Sequence, residues 1–307
     1  MKITNSCTSK RLHGHIALLL ANVSWGLMSP ISKDLLNQQV ISPWALTGIR
    51  IIGGTLVFWF LSAVLSGRVI KSEPIDRKDL LKIFCASMLV IMANQALVII
   101  GMNYTSPIDA AIVCSTTPVF TLLFSFLLLH ARMSWFRTLG VFIGFAGVLA
   151  FVFLGKADVE YNVVNPMLGN GLCLLAQICA ALYLVLFPDT ISKYSAFTLM
   201  KWMFLFSAIA ITPFVASELL SIDWQTLSLT VIMEVLYILI MGTCFSYLLI
   251  PYAQRRVQPT VIAMYNYLQP LVAFISTVIL GLALINGLTV CASALILLAV
   301  WMVNRES

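Results

Sequence analysis

Three ionisable side chains fall well inside apolar runs of this sequence: Arg50, Lys201 and Glu234. A charge placed in hydrocarbon costs at least about 2.5–3.5 kcal/mol, so each marks a point where the chain either reaches back to water or uses the charge. Arg50 lies seven residues past Pro43, roughly 10 Å along a helix that rises 1.5 Å per residue. Lys201 lies six residues past Ser195, a comparable depth from the opposite side. Arg50 reads as the anchor for a substrate carboxylate, with Asp109 as its partner when the site is empty. The alternative, for Lys201 as well, is a long stem that snorkels to the interface. Glu234 lies about 12 Å deep if its helix starts at Thr226, and at the surface if the start is near Val231. An embedded carboxylate beside a solute path can carry a coupling proton.

Uncharged polar and aromatic residues recur in mid-run: Asn22, Ser24 and Trp25; Asn94 and Gln95; Ser115, Thr116 and Thr117; Gln177 and Tyr183; Trp202; Thr243 and Tyr247; Tyr265, Asn266, Tyr267 and Gln269. Facing lipid they would be unpaired, so they are expected to face the bundle interior, lining a cavity or gluing helices together. With Arg50 and Lys201, the substrate-binding candidates are Trp25, Asn94, Thr117, Tyr183, Thr243, Tyr247, Tyr265, Asn266, Tyr267 and Gln269. Two prolines mark helix breaks: Pro270 frees a carbonyl one turn back near Asn266, and Pro118 frees one near Cys114. Cys7 apart, the seven cysteines sit in apolar runs without a CxxC pair; His13 and His15 lie before the first span and His130 ends another. No metal, cofactor or disulfide framework is expected.

These elements must be held by a membrane. The chain has 307 residues, 61% apolar and 10% charged, where a soluble domain has about 25% charged. Ten apolar runs, 14–34, 43–66, 80–102, 107–129, 135–154, 167–187, 196–216, 226–250, 258–280 and 286–303, predict ten transmembrane helices of roughly 20 residues each. Continuous rather than alternating apolarity excludes a β-barrel. Of 18 basic residues, 14 fall in alternate loops beginning with the N-terminal tail, two in the opposite loops and two (Arg50 and Lys201) inside runs. That asymmetry places both termini in the cytoplasm, across an inner membrane. It also explains the net charge of +6 by contact with anionic lipid and gives no reason to invoke nucleic acid. The first run lacks a small-residue cleavage site and reads as a span.

A shift of 152 superposes Pro107 on Pro259 and Pro118 on Pro270 without a gap. The halves 1–155 and 156–307 then hold five spans each. An odd number of spans inserts the second half upside down, the architecture of alternating-access carriers with a midplane site between repeats. The expected fold is an all-α integral membrane protein of two inverted five-helix repeats.

Several motifs in this order resemble the drug/metabolite transporter superfamily, in the branch named for EamA. They are Trp25-Gly26, Arg50, the Ser115-Thr116-Thr117-Pro118 run, the glycines Gly140, Gly144 and Gly147, Gly242-Thr243 through Tyr247, and Tyr265-Asn266-Tyr267-Leu268-Gln269-Pro270. The resemblance covers essentially the whole chain. It implies a ten-helix basket moving small metabolites such as amino acids, with export in some members. The Gly-Glu pair usual after spans 4 and 9 is absent: the columns read His130-Ala131 and Leu282-Ala283, so no role passes to a glutamate there. Gly140-x-x-x-Gly144 reads as a packing or dimerisation face, leaving monomer and homodimer open.

No Walker lysine motif exists, so the chain itself hydrolyses no ATP. An intramembrane lipid-modifying enzyme or protease would need a nucleophile–base pair or acidic metal cluster at depth, and no His or Asp stands in mid-span. A channel or receptor is the other alternative; no filter motif is seen. The expected function is secondary transport of a small-molecule substrate, an amino acid or related amphipathic solute.

Overall fold

A computed structural model describes residues 2–65, 73–105, 110, 113–131, 134–154, 165–279 and 287–305. Among the described residues all regular structure is helical. Helix α1 is Lys2–Asn37. Ser42 caps the next helix, its hydroxyl accepting from the Ala45 N–H at 3.1 Å, with Pro43 in the first turn, where a missing N–H costs nothing. That helix, α2, runs Pro43–Gly48, through a π turn Ile49–Gly53, into Gly54–Leu65. Helix α3 is Arg77–Ser87, a π turn Met88–Ala93, and Asn94–Tyr104. Then come α4, Thr117–Leu129, and α5, Trp135–Leu154. Asn165, Ser195 and Ser228 cap α6 (Pro166–Leu186), α7 (Ala196–Leu220) and α8, which begins as Leu229–Leu239. Helix α8 continues through a π turn Ile240–Phe245 into Ser246–Gln254. Helix α9 is Pro259–Met264, a 3₁₀ turn Tyr265–Tyr267, and Leu268–Ile279; α10 is Gly287–Arg305. A short helix, Pro188–Lys193, joins α6 to α7.

The bounds track the apolar runs, with two differences. Helix α1 extends back to Lys2, and the regular helix expected over 107–129 begins at Thr117; Pro107 and Asp109 lie outside the described residues. Six segments are long and apolar enough to cross a membrane: Arg11–Leu36, Pro43–Val64, Arg77–Tyr104, Pro166–Leu186, Ala196–Leu220 and Leu229–Gln254. Thr117–Leu129, Trp135–Ala150 and Val290–Val303 are shorter apolar helices. The outward faces are apolar: Leu56 and Phe60 on α2 are each 67% exposed, a surface that suits lipid and not water.

Helix pairing has a pattern. Helix α3 and α4 pack on α6, α8 and α9 pack on α1, α2 crosses α7, and α5 lies along α10. The partners of α1 thus stand five helices on from the partners of α6. The π turns of α3 and α8 begin at Met88 and Ile240, 152 residues apart, the offset that aligns the prolines.

The glycine stripe of α5 is used inside the chain. A Cβ on Gly140 would meet Val303 at 2.9 Å, one on Gly147 would meet Ile296 at 3.1 Å, and one on Gly144 would enter the Tyr267 ring at 2.4 Å. Of the packing and dimerisation roles, the stripe therefore serves packing against α9 and α10. Away from these helices, Lys193 bridges Asp76 and Asp79 ahead of and within α3, at 2.7 Å from the latter. Tyr194 donates to Asp79 at 2.7 Å, and the Ser195 N–H donates to Glu73 at 2.8 Å. The carboxylates of Asp76 and Asp79 hold the Lys193 ammonium above the usual lysine range. This charged clamp ties the α2–α3 connection to the α6–α7 connection.

Candidate functional site

A cavity of about 250 Å³ lies among α1–α4 and α6–α9. Polar and apolar side chains are mixed along its walls: Arg50, Gln95 and Ser32 stand toward the α1–α2 connection with Met28, Val98, Ile99 and Met102, and Tyr183, Leu184, Met200, Ile250 and Pro251 stand toward the α6–α7 connection.

Arg50 is the charged side chain among the described lining residues, and it is 3% exposed. It sits in the π turn of α2 and its Nε donates to the Thr243 hydroxyl, in the π turn of α8, at 3.0 Å. Thr243 donates onward to the Ile238 carbonyl at 2.9 Å. Thr243 itself does not line the cavity; it supports Arg50 from behind. Among the described residues Arg50 has no ion pair within 4 Å, and the expected partner Asp109 lies outside them.

The π turns also supply acceptors. A π turn bonds i to i+5 and loosens the local ladder, and such turns recur at functional sites. The Trp25 indole N–H on α1 donates to the Gly242 carbonyl at 2.9 Å. The Tyr247 hydroxyl on α8 donates to the Val90 carbonyl at 3.3 Å. Val90 and Gly242 are both the third residue of their π turns, again 152 apart. Trp25 and Tyr247 meet edge to face, 5.5 Å between ring centroids. Both line the cavity.

The amides and hydroxyls of the wall mostly glue helices as well as facing the space. Thr117 donates to Gln177 Oε1 at 2.6 Å, joining α4 to α6. Gln269 donates to Asn22 Oδ1 at 2.9 Å and to Asn266 Oδ1 at 3.4 Å, joining α9 to α1. Asn94 donates to the Ala176 carbonyl at 2.9 Å. Tyr183 lines the cavity and donates to Gln254 Oε1 at 2.8 Å.

Of the run 265–269, Asn266 and Gln269 face the cavity with Pro270, and Tyr265 and Tyr267 do not. Residues about 100° apart on a helix cannot all share one face, and the stripe that does runs Ile262, Asn266, Gln269, Ala273. Tyr265 instead meets His15 Nδ1 at 3.0 Å, and Tyr267 donates to the Val141 carbonyl at 3.1 Å beneath α5. Pro118 is buried in the first turn of α4 and off the cavity. Lys201 is on the outside, its ammonium 4.9 Å from the Trp59 ring centroid and 3.3 Å from the Ser62 hydroxyl. Glu234 lies off the cavity in the second turn of α8, beside Asp34 of α1. Ala131 follows α4, its N–H bonded to the Ser125 carbonyl at 3.2 Å; Ala283 lies outside the described residues. Four polar lining residues stand outside the binding candidates of the sequence analysis: Ser32, Gln95, Ser115 and Gln177. Gln95 was visible as a mid-run amide, whereas Ser32 had no signal beyond following Pro30.

Among the described residues no group of three or more His, Cys, Asp or Glu side chains could hold a metal. A family model described as the EamA-like transporter family matches the chain twice, over residues 12–153 and 167–305. A protein of Archaeoglobus fulgidus named an uncharacterized transporter is 26% identical over 291 residues, 95% of this chain and 98% of that one. The uncharacterized transporter YetK of Bacillus subtilis is 23% identical over 217 residues, 70% of this chain and 64% of its own. A solved crystal structure superposes with a TM-score of 0.74 at 15% identity, covering 97% of both chains; at that identity the likeness is one of fold.

Proposed function

The chain belongs to the EamA-like transporter family and is a multi-pass membrane protein, and on that premise we propose that it is a secondary carrier of small amphipathic carboxylates, amino acids or their close relatives. Arg50 is the observation that carries this reading. A guanidinium buried in an otherwise apolar, aromatic and amide-lined cavity holds a carboxylate as a bidentate pair, and the apolar side chains of the walls receive the tail. Movement proceeds by alternating access between two inverted halves, 1–155 and 156–307, in ten spans with both termini in the cytoplasm. Four observations support that architecture: the double family match, the repeated helix pairings, the 152-residue spacing of π turns and the one-sided basic loops. One chain supplies both halves, so a monomer suffices. Trp25, Asn94, Thr117, Tyr183, Tyr247, Asn266 and Gln269 form the walls, with Thr243 positioning Arg50. Tyr265, Tyr267, Lys201 and Glu234 are assigned no contact with the solute.

The test is uptake into proteoliposomes of a panel of amino acids and related organic acids, with and without a pH gradient. Saturable uptake of at least one carboxylate is expected. Absence of uptake across the panel, or a rate strictly proportional to concentration, overturns the carrier reading. In the same assay Lys201→Gln is expected to stay within twofold of wild type, because its cation–π contacts face outward; a tenfold loss would return Lys201 to the path.

A further inference from the structure

Gln95 is 2% exposed and lines the cavity; its amide lies against the Tyr247 hydroxyl, and among the described residues neither its Nε2 nor its Oε1 has a partner within 3.5 Å. A buried amide short of partners costs free energy. The other cavity amides differ: Asn94, Gln177, Asn266 and Gln269 each have a bond to a neighbouring side chain or carbonyl. The position 152 residues on from Gln95 is Tyr247, and Tyr247 finds the Val90 carbonyl of the opposite π turn. The mirror-image acceptor for Gln95 is the Gly242 carbonyl, which already takes the Trp25 indole N–H. Arg50 and Tyr247 share this corner of the cavity. Beyond its contact with Tyr247, the amide has a further donor and its acceptor oxygen to offer, in the corner that Arg50 shares.

We propose that Gln95 and Arg50 form a two-point site for a carboxylate that bears an amino or hydroxyl group on the adjacent carbon, and that Gln95 sets the preference for such a compound over the plain acid. The inference rests on the carrier reading above. A carboxylate bridging Arg50 and Gln95 Nε2 satisfies the donors but leaves Oε1 empty. An ammonium or hydroxyl on the next carbon donates to Oε1 and completes the set. Ser32, whose buried hydroxyl is also without a partner among the described residues, lines the same cavity. A site built to bond a polar group discriminates strongly against the analogue that lacks it, because its own buried groups are then stranded.

The experiment uses the full chain in proteoliposomes with three probes of equal chain length: L-norleucine, 2-hydroxyhexanoate and hexanoate. Wild type is expected to take at least one of the two substituted acids with a KM at least tenfold below that of hexanoate; which of them wins distinguishes an amino from a hydroxyl partner. Gln95→Leu is expected to raise that KM tenfold or more and that of hexanoate by a clearly smaller factor, so that the preference for the substituted acid narrows, with a melting temperature close to wild type because leucine fills the space of a poorly partnered amide. Gln95→Met, closer in length, serves if the leucine variant does not insert. Equal handling of all three probes by wild type overturns the proposal, as does a Gln95 variant that keeps wild-type selectivity or weakens all three alike. If none of the three is carried while another member of the wider panel is carried saturably, this inference falls and the carrier reading stands. If nothing on the panel is carried, the carrier reading falls with it.

Discussion

Replacing Arg50 with alanine is expected to lower saturable uptake of the preferred carboxylate by about a hundredfold while the protein still inserts and folds. Truncating one partner of a desolvated, hydrogen-bonded charge pair costs about 2–5 kcal/mol, and about 2.8 kcal/mol corresponds to a factor of a hundred. Stability should not fall in parallel. The guanidinium is 3% exposed and folding must strip it of water, so removing it relieves a penalty. Thr243, its partner at 3.0 Å, keeps its own bond to the Ile238 carbonyl. Arg50→Lys keeps the charge but loses the planar fork, and a loss of about tenfold is expected by the same arithmetic. Proteoliposome uptake beside a melting curve in detergent checks both statements. Wild-type uptake by the alanine variant would remove Arg50 from the mechanism.

The second large effect lies where α3 meets α6. A Cβ on Gly169 would stand 2.8 Å from both the Gly101 carbonyl and the Thr105 nitrogen, and one on Gly101 would stand 2.9 Å from the Gly169 carbonyl. These are backbone atoms, which cannot rotate away as a side-chain end can, so the helices must part. Overpacking of this kind costs about 1–3 kcal/mol, occasionally more. The cost would propagate to the cavity wall, because the same apposition carries the Asn94 bond to the Ala176 carbonyl and the Thr105 bond to Asn170. Gly169→Val is expected to lower the melting temperature and the yield of monodisperse protein. Gly171→Ala, two residues on with nothing within 4 Å of the added carbon, is expected to match wild type. Equal behaviour of the two variants would contradict the α3–α6 contact.

Much of the architecture was legible because hydrocarbon leaves the chain few options. Apolar runs bounded by Ser42-Pro43, Asn165-Pro166, Ser195 and Ser228 are helices that those residues cap; for Arg50 the sequence leaves an inward anchor and a snorkelling stem equally open, and the structure buries it against the cavity. The π turns left no trace in the sequence. Each adds one residue to a helical turn through the hydrogen-bond ladder, a change of backbone pairing that no residue type encodes, yet it decides that Gly242 and Val90 present carbonyls to Trp25 and Tyr247. The facing of the 265–269 run was half legible. Proline predicted the broken turn, and α9 does tighten to 3₁₀ at Tyr265–Tyr267, but composition alone treated adjacent residues as neighbours when the helix turns every second one away. Gln95 is hard to read for a related reason. An amide in mid-run is usually glue, and only the positions of its neighbours show that this one meets the Tyr247 hydroxyl and has no other partner among the described residues.

Counterflow tests the central claim most directly. Proteoliposomes loaded with a high concentration of unlabelled L-norleucine, or of 2-hydroxyhexanoate where that acid is preferred, are diluted into a trace of the same compound carrying label. A single cavity that opens alternately to each side returns labelled solute inward on the sites emptied by outward traffic, so internal label should rise transiently above its final level and then decay. Entry of label that climbs monotonically to equilibrium, at a rate indifferent to the internal load, would contradict alternating access through this cavity.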